Sequence, residues 1–228
     1  MRKSNERSSL LLQALTKFTL GLLLVASLLF LPAGSLSYRQ AWLLLAILFI
    51  PMFAAGLVML RKSPALLKKR LNAKEKLGDQ KSVILLSALL FLAVFLSAGL
   101  CWRLDFLMLP YWVSLAAAVL FLLAYALYAE VLRENAYLSR TIEIQQGQQL
   151  VDTGLYGLVR HPMYASTMLL FLSMPLVLGS LPSFLLMLGY VPLIIRRIRG
   201  EEKLLREELP GYADYMERVK YRLIPYLW

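Results

Sequence analysis

The residues of this chain that can do chemistry concentrate in two short polar stretches. The first reads V-D-T-G-L-Y-G-L-V-R-H-P-M-Y from Val151 to Tyr164 and contains His161, the single histidine of the chain. The second, R-R-I-R-G-E-E, runs from Arg196 to Glu202. An imidazole can move a proton near neutral pH, a guanidinium can hold a carboxylate or phosphate, and a carboxylate can hold an ammonium group. Pro162 suits the first turn of a helix, where its missing N–H is no loss, and this puts His161 at a helix mouth. Arg197 and Glu201 are four residues apart, so on a helix they share one face and can pair. Both stretches border the same hydrophobic segment. A membrane hairpin brings them together, and we read that junction as the active site.

The neighbouring residues add weaker signals. Gly154 and Gly157 bracket Tyr156 and allow a close backbone approach to a ligand, although a plain turn accounts for them equally well. Tyr156 and Tyr164 offer aromatic faces to a cation, or serve as ordinary interfacial tyrosines. Taken singly, Arg160 reads as a ligand for lipid phosphate and His161 as a helix cap, while Glu202, Glu207 and Glu208 read as solvated helix charges. The chain has no G-x-G-x-x-G fingerprint, P-loop, G-x-S-x-G elbow or H-E-x-x-H pair, which excludes several common enzyme plans. Cys101 is the single cysteine, so neither an intrachain disulfide nor a cysteine metal cluster is available, and we expect no metal.

The elements that must position these groups are membrane helices. Hydrophobic residues make up 59% of the 228, and the mean hydropathy is +0.63, more apolar than a soluble core of this size requires. The formal charge of +11 sits in short segments flanking apolar runs, the pattern of a protein facing an anionic membrane surface and not nucleic acid. Spans are expected over Leu10 to Pro32, Ala41 to Leu60, Ser82 to Leu100, Tyr111 to Ala129, Met163 to Leu178 and Leu181 to Ile195. The first is read as an uncleaved span in which Lys17 snorkels to the interface. Between the second and third, Arg61 to Lys81 carries eight Lys or Arg, with Leu66, Leu67 and Leu71 on one face of a short surface helix. Trp102 and Trp112 are expected as interfacial anchors. Beyond the last span, Leu204, Leu205, Leu209, Tyr212, Tyr215 and Val219 can line one side of an interfacial helical region interrupted at Pro210 and Gly211. The expectation is an all-α polytopic bundle of about six spans in the bacterial inner membrane with both termini cytoplasmic. Its N-terminal spans occupy 1–149, and 150–228 hold the motif region.

The ordered set L-V-x-T-G-x-Y-x-x-V-R-H-P-M-Y, an apolar hairpin, R-x-x-x-E-E-x-x-L and G-Y-A-D-Y-M-E-R-V, spanning roughly Leu150 to Pro225, resembles the isoprenylcysteine carboxyl methyltransferase family and its phospholipid methyltransferase relatives. The resemblance implies an integral membrane enzyme that takes methyl groups from S-adenosylmethionine without a Rossmann domain. By similarity, Gln148, Gln149, Leu150, Val151, Tyr156, His161, Pro162, Met163 and Tyr164 line the cofactor pocket, with Gln145 as an outlying contributor. Glu201 holds the cofactor's ammonium group, and Arg197 orients the methyl acceptor. The acceptor implied is lipid-like or lipidated, most directly an isoprenylcysteine-type carboxylate; phospholipid amine and thiol methylation use the same pocket. A membrane protein that retains the fold without the activity is the rival from another class.

Overall fold

A computed structural model describes residues 2–71, 78–135, 137 and 147–228, and Gln145 lies outside them. Among the described residues the secondary structure is helical: α1 (Arg2–Ala33), α2 (Arg39–Lys62), α3 (Pro64–Leu71), α4 (Gly78–Leu104), α5 (Tyr111–Glu134), α6 (Pro162–Val177), α7 (Leu181–Met187), α8 (Tyr190–Glu208) and α9 (Tyr212–Arg218). Ser8–Ala33, Arg39–Lys62, Lys81–Leu104, Tyr111–Glu134 and Leu181–Glu208 are each long and apolar enough to cross a membrane. The remaining expected span, α6, has 16 residues and is short for a bilayer, so among the described residues five of the six expected spans are long enough to cross, the last of them with a break between α7 and α8. Leucines such as Leu12, Leu20, Leu23 and Leu24 point outward along α1. A helix apolar on its exposed side is at home in lipid, where its backbone groups are satisfied internally.

Local sequence sets the helix boundaries. Gly34, at φ +66°, ends α1 with its N–H on the Phe30 carbonyl at 2.9 Å, the left-handed cap that glycine adopts without strain. Gly99 lets α1 and α4 cross closely, because a Cβ there would lie 2.5 Å from the Leu29 carbonyl oxygen. The basic loop forms α3 as expected, and Lys17 Nζ donates to the Leu71 carbonyl at 2.6 Å, tying α1 to it.

One buried cluster, from Leu29 through Phe49, Phe95 and Phe121 to Leu178, joins α1, α2, α4, α5 and α6, and the α5–α6 pair is the most extensive interhelical contact. At the end of the bundle away from the polar stretches, the Leu109 N–H donates to the Gly179 carbonyl at 2.7 Å. There Tyr38 donates to the Leu178 carbonyl at 2.6 Å and stacks on Trp102 with centroids 5.2 Å apart. Trp102 is therefore half-buried at the end of α4, packed against Tyr38. Trp112 stays 70% exposed.

Candidate active site

The loop from Val151 to His161 is held on two sides. Gly154, at φ +56°, lies so close to the Glu134 carboxylate that any side chain would collide with it. The glycine thus lets Glu134, at the end of α5, accept the Leu155 N–H at 3.0 Å. Next to it Asn135 Nδ2 donates to the Tyr156 hydroxyl at 3.0 Å. From the other side, Tyr215 of α9 donates to the Tyr156 carbonyl at 2.7 Å. The turn Gly154–Gly157 is thereby clamped between α5 and α9, and Tyr156 is buried within it.

Arg160 and His161 are anchored by the returning end of the chain. Their backbone N–H groups donate to the Tyr221 and Arg222 carbonyls, each at 2.9 Å. Arg160 Nη1 also donates to the carbonyls of Val219 at 2.7 Å and Lys220 at 3.0 Å. All converge on Glu202: Arg160 Nε at 2.8 Å and His161 Nε2 at 3.2 Å on Oε1, and Arg222 Nε at 2.8 Å on Oε2. Glu202 is 6% exposed. This corrects its reading as a solvated charge, since the returning segment covers that face of α8; Glu207 and Glu208 remain exposed. Arg160, also 6% exposed, is committed to Glu202 and is no lipid-phosphate ligand. His161 does occupy the N-cap of α6, but its side chain makes no capping bond.

Above this latch lies an open-mouthed cleft of about 540 Å³, counting the solvent in its mouth. Gln148, Gln149, Leu150, Val151, Tyr156, His161, Met163, Tyr164 and Glu201 all stand on its wall. Pro162 does not: it is buried at the first turn of α6, where its role is to start the helix. Arg197 is also off the wall. Its Nε donates to the Tyr164 hydroxyl at 3.1 Å, and that hydroxyl donates to Glu201 Oε2 at 2.6 Å. The expected pairing of Arg197 with Glu201 is thus bridged by a tyrosine from α6.

Sequence reasoning missed Asn135, Arg160, Leu205, Leu209, Tyr212 and Tyr215 as parts of the wall. The last four were visible as one apolar face, but that face turns toward the cleft, with Leu209, Tyr212 and Tyr215 forming a small core against Leu150. Burial pushes the Tyr156, Tyr212 and Tyr215 hydroxyls above their ordinary range, so they remain protonated donors at any physiological pH. Among the described residues no group of three His, Cys, Asp or Glu has the proximity to hold a metal. The arrangement is built to bind and orient: it offers a carboxylate, several hydroxyl and amide groups, and aliphatic and aromatic walls.

Residues 112–210 match the family model for phospholipid methyltransferase, which takes in the wall from Asn135 to Leu209. The chain is also similar to the Delta(14)-sterol reductase TM7SF2 of Mus musculus, 34% identical over 91 residues that make up 39% of this chain and 22% of the relative. The match therefore covers about a fifth of that protein's length.

Proposed function

We propose that the cleft binds S-adenosylmethionine and that the protein transfers its methyl group to a lipid-like acceptor, a reading supported by the match of residues 112–210 to the phospholipid methyltransferase family model. The observation that carries this reading is the Glu201 carboxylate on the cleft wall, held by the Tyr164 hydroxyl at 2.6 Å. The wall fits the cofactor chemically. Glu201 suits an α-ammonium group through a charge-assisted contact, and Tyr156, Tyr215, Leu205 and Leu209 on the wall suit a purine and its ribose edge.

When bound, S-adenosylmethionine supplies a methyl group already activated on a sulfonium sulfur. The acceptor would supply the lone pair for the new bond to that methyl carbon, and the electron pair of the broken carbon–sulfur bond would stay on sulfur. No covalent protein nucleophile is required. The chain's own part is alignment and exclusion of water. Tyr164 holds Glu201 on one side and Arg197 on the other, so a single hydroxyl fixes the positions of an anion for the donor and a cation for the acceptor. Glu202 keeps the Arg160–His161 turn against α8 and so fixes the wall's geometry.

Arg197 favours an acceptor with an anionic group, and an isoprenylcysteine-type carboxylate is the acceptor we infer first. A carboxylate needs no deprotonation before attack. Phospholipid amine methylation is the second reading, favoured by the description of the matching family, with Arg197 on the lipid phosphate. The similarity to a sterol reductase raises a third: a reductase needs a hydride donor in place of a sulfonium. Calorimetric titration of purified protein with S-adenosylhomocysteine and, separately, with reduced nicotinamide dinucleotides distinguishes these classes. Micromolar binding of the first and none of the second is expected; the reverse overturns the methyltransferase reading.

A further inference from the structure

Tyr212 contains a polar group that the fold does not use. Its side chain lines the cleft, the residue is 3% exposed, and its hydroxyl is buried without a hydrogen-bond partner. The ring is accounted for by packing, because it sits 5.6 Å from the Tyr215 ring in the core of Leu209, Tyr212 and Tyr215. Phenylalanine would fill that space equally well. A hydroxyl stripped of water and given no partner costs stability, so its presence points to an acceptor that arrives with the ligand.

The surroundings narrow the identity of that acceptor. Burial, and then the nearby Glu202 and Glu201 carboxylates, push the Tyr212 hydroxyl far above its ordinary range. It is therefore a permanent donor. Arg160 acts on it with the opposite sign and lines the same cleft. The wall thus carries an acidic group, Glu201, and an unpartnered donor, Tyr212, together with the guanidinium of Arg160, which is bonded to Glu202. An α-amino acid head presents an ammonium and a carboxylate from one carbon, and this arrangement complements it. Resting on the S-adenosylmethionine reading above, we propose that the Tyr212 hydroxyl donates to the α-carboxylate of the cofactor's methionyl group while Glu201 takes the ammonium. Tyr212 is then a binding residue that selects a ligand with an intact amino-acid head over one lacking the carboxylate.

The test is titration of wild type and Tyr212→Phe with two probes, S-adenosylhomocysteine and its decarboxylated analogue, with melting of both proteins measured without ligand. Tyr212→Phe should lose about tenfold in affinity for S-adenosylhomocysteine, or about 1.4 kcal/mol, and bind the analogue as wild type does. Its ligand-free melting temperature should be unchanged or slightly higher, since an unpartnered group has been removed. Equal binding of S-adenosylhomocysteine by the two proteins overturns the assignment. So does an equal loss on both probes, which would place the hydroxyl on another part of the ligand. A ligand-free melting temperature lower by more than about 3 °C also overturns it, because the hydroxyl would then be holding the fold. Failure of wild type to bind either probe overturns the methyltransferase reading itself and this assignment with it.

Discussion

Replacing Glu202 by glutamine removes the one charge on which Arg160, His161 and Arg222 converge. Breaking a buried ion pair by neutralising one partner costs about 3–5 kcal/mol, because the other charge is left uncompensated. Two features of the structure pull the figure to the low end. Arg160 retains the Val219 and Lys220 carbonyls as acceptors, and the Arg222 side chain is 32% exposed, so its contact is partly screened. About 3 kcal/mol remains, which for a chain of this length lowers the melting temperature by about 6–12 °C. Tryptophan fluorescence during a thermal ramp in one detergent reads this directly, with Glu207→Gln as a solvated control expected to stay within about 2 °C of wild type. Because the latch also sets the His161 wall of the cleft, S-adenosylhomocysteine affinity should fall along with stability. A Glu202→Gln protein that melts with wild type would refute the view that the returning segment is held by a buried ionic latch.

Glu201→Gln should lower cofactor affinity by about 1.5–3 kcal/mol, the scale of a charge-assisted hydrogen bond, while its melting temperature stays near wild type because Glu201 stands outside the latch; unchanged binding in the titration removes it from the site. Arg197→Lys should bind cofactor normally and lose turnover, since an ammonium cannot reproduce the planar two-pronged contact to a carboxylate or phosphate. Joint titration and methyl-transfer assays on one preparation decide this: loss of both places Arg197 in the cofactor site or fold, and full turnover makes it an ordinary flanking arginine. Reporter fusions after Ser35, Asp105 and Ser180 should read external and one after Trp228 cytoplasmic; a cytoplasmic signal at Asp105 overturns the six-span topology.

What sequence made legible was local. Pro162 at a helix start, the apolar runs, the surface helix at Leu66 to Leu71 and the shared face of Arg197 and Glu201 all follow from period and punctuation within one element. What it hid was the return of the chain. Glu202 lies one step round α8 from Glu201, in line with Ile194 and Ile198 on the buried face, but a carboxylate there reads as solvated until its partners are known. It is buried because residues 219–222 come back across it, through contacts 20 to 60 residues apart in sequence. The Tyr164 hydroxyl between Arg197 and Glu201 was hidden for the same reason, since α6 and α8 meet only in the folded hairpin. The face of Leu205, Leu209, Tyr212 and Tyr215 was visible as apolar, but period cannot say whether an apolar face meets lipid or a ligand cleft.

The proposed reaction is delivery of a methyl group from this cleft to a hydrophobic acceptor. It is tested most directly by incubating the purified protein with S-adenosylmethionine labelled in the methyl group and a native lipid extract, then measuring label in the organic phase. Label is expected in a lipid-soluble product with wild type, strongly reduced with Glu201→Gln, together with one S-adenosylhomocysteine released for each methyl transferred. Absence of labelled lipid from a folded protein across several lipid extracts, or transfer indifferent to Glu201→Gln, would contradict it.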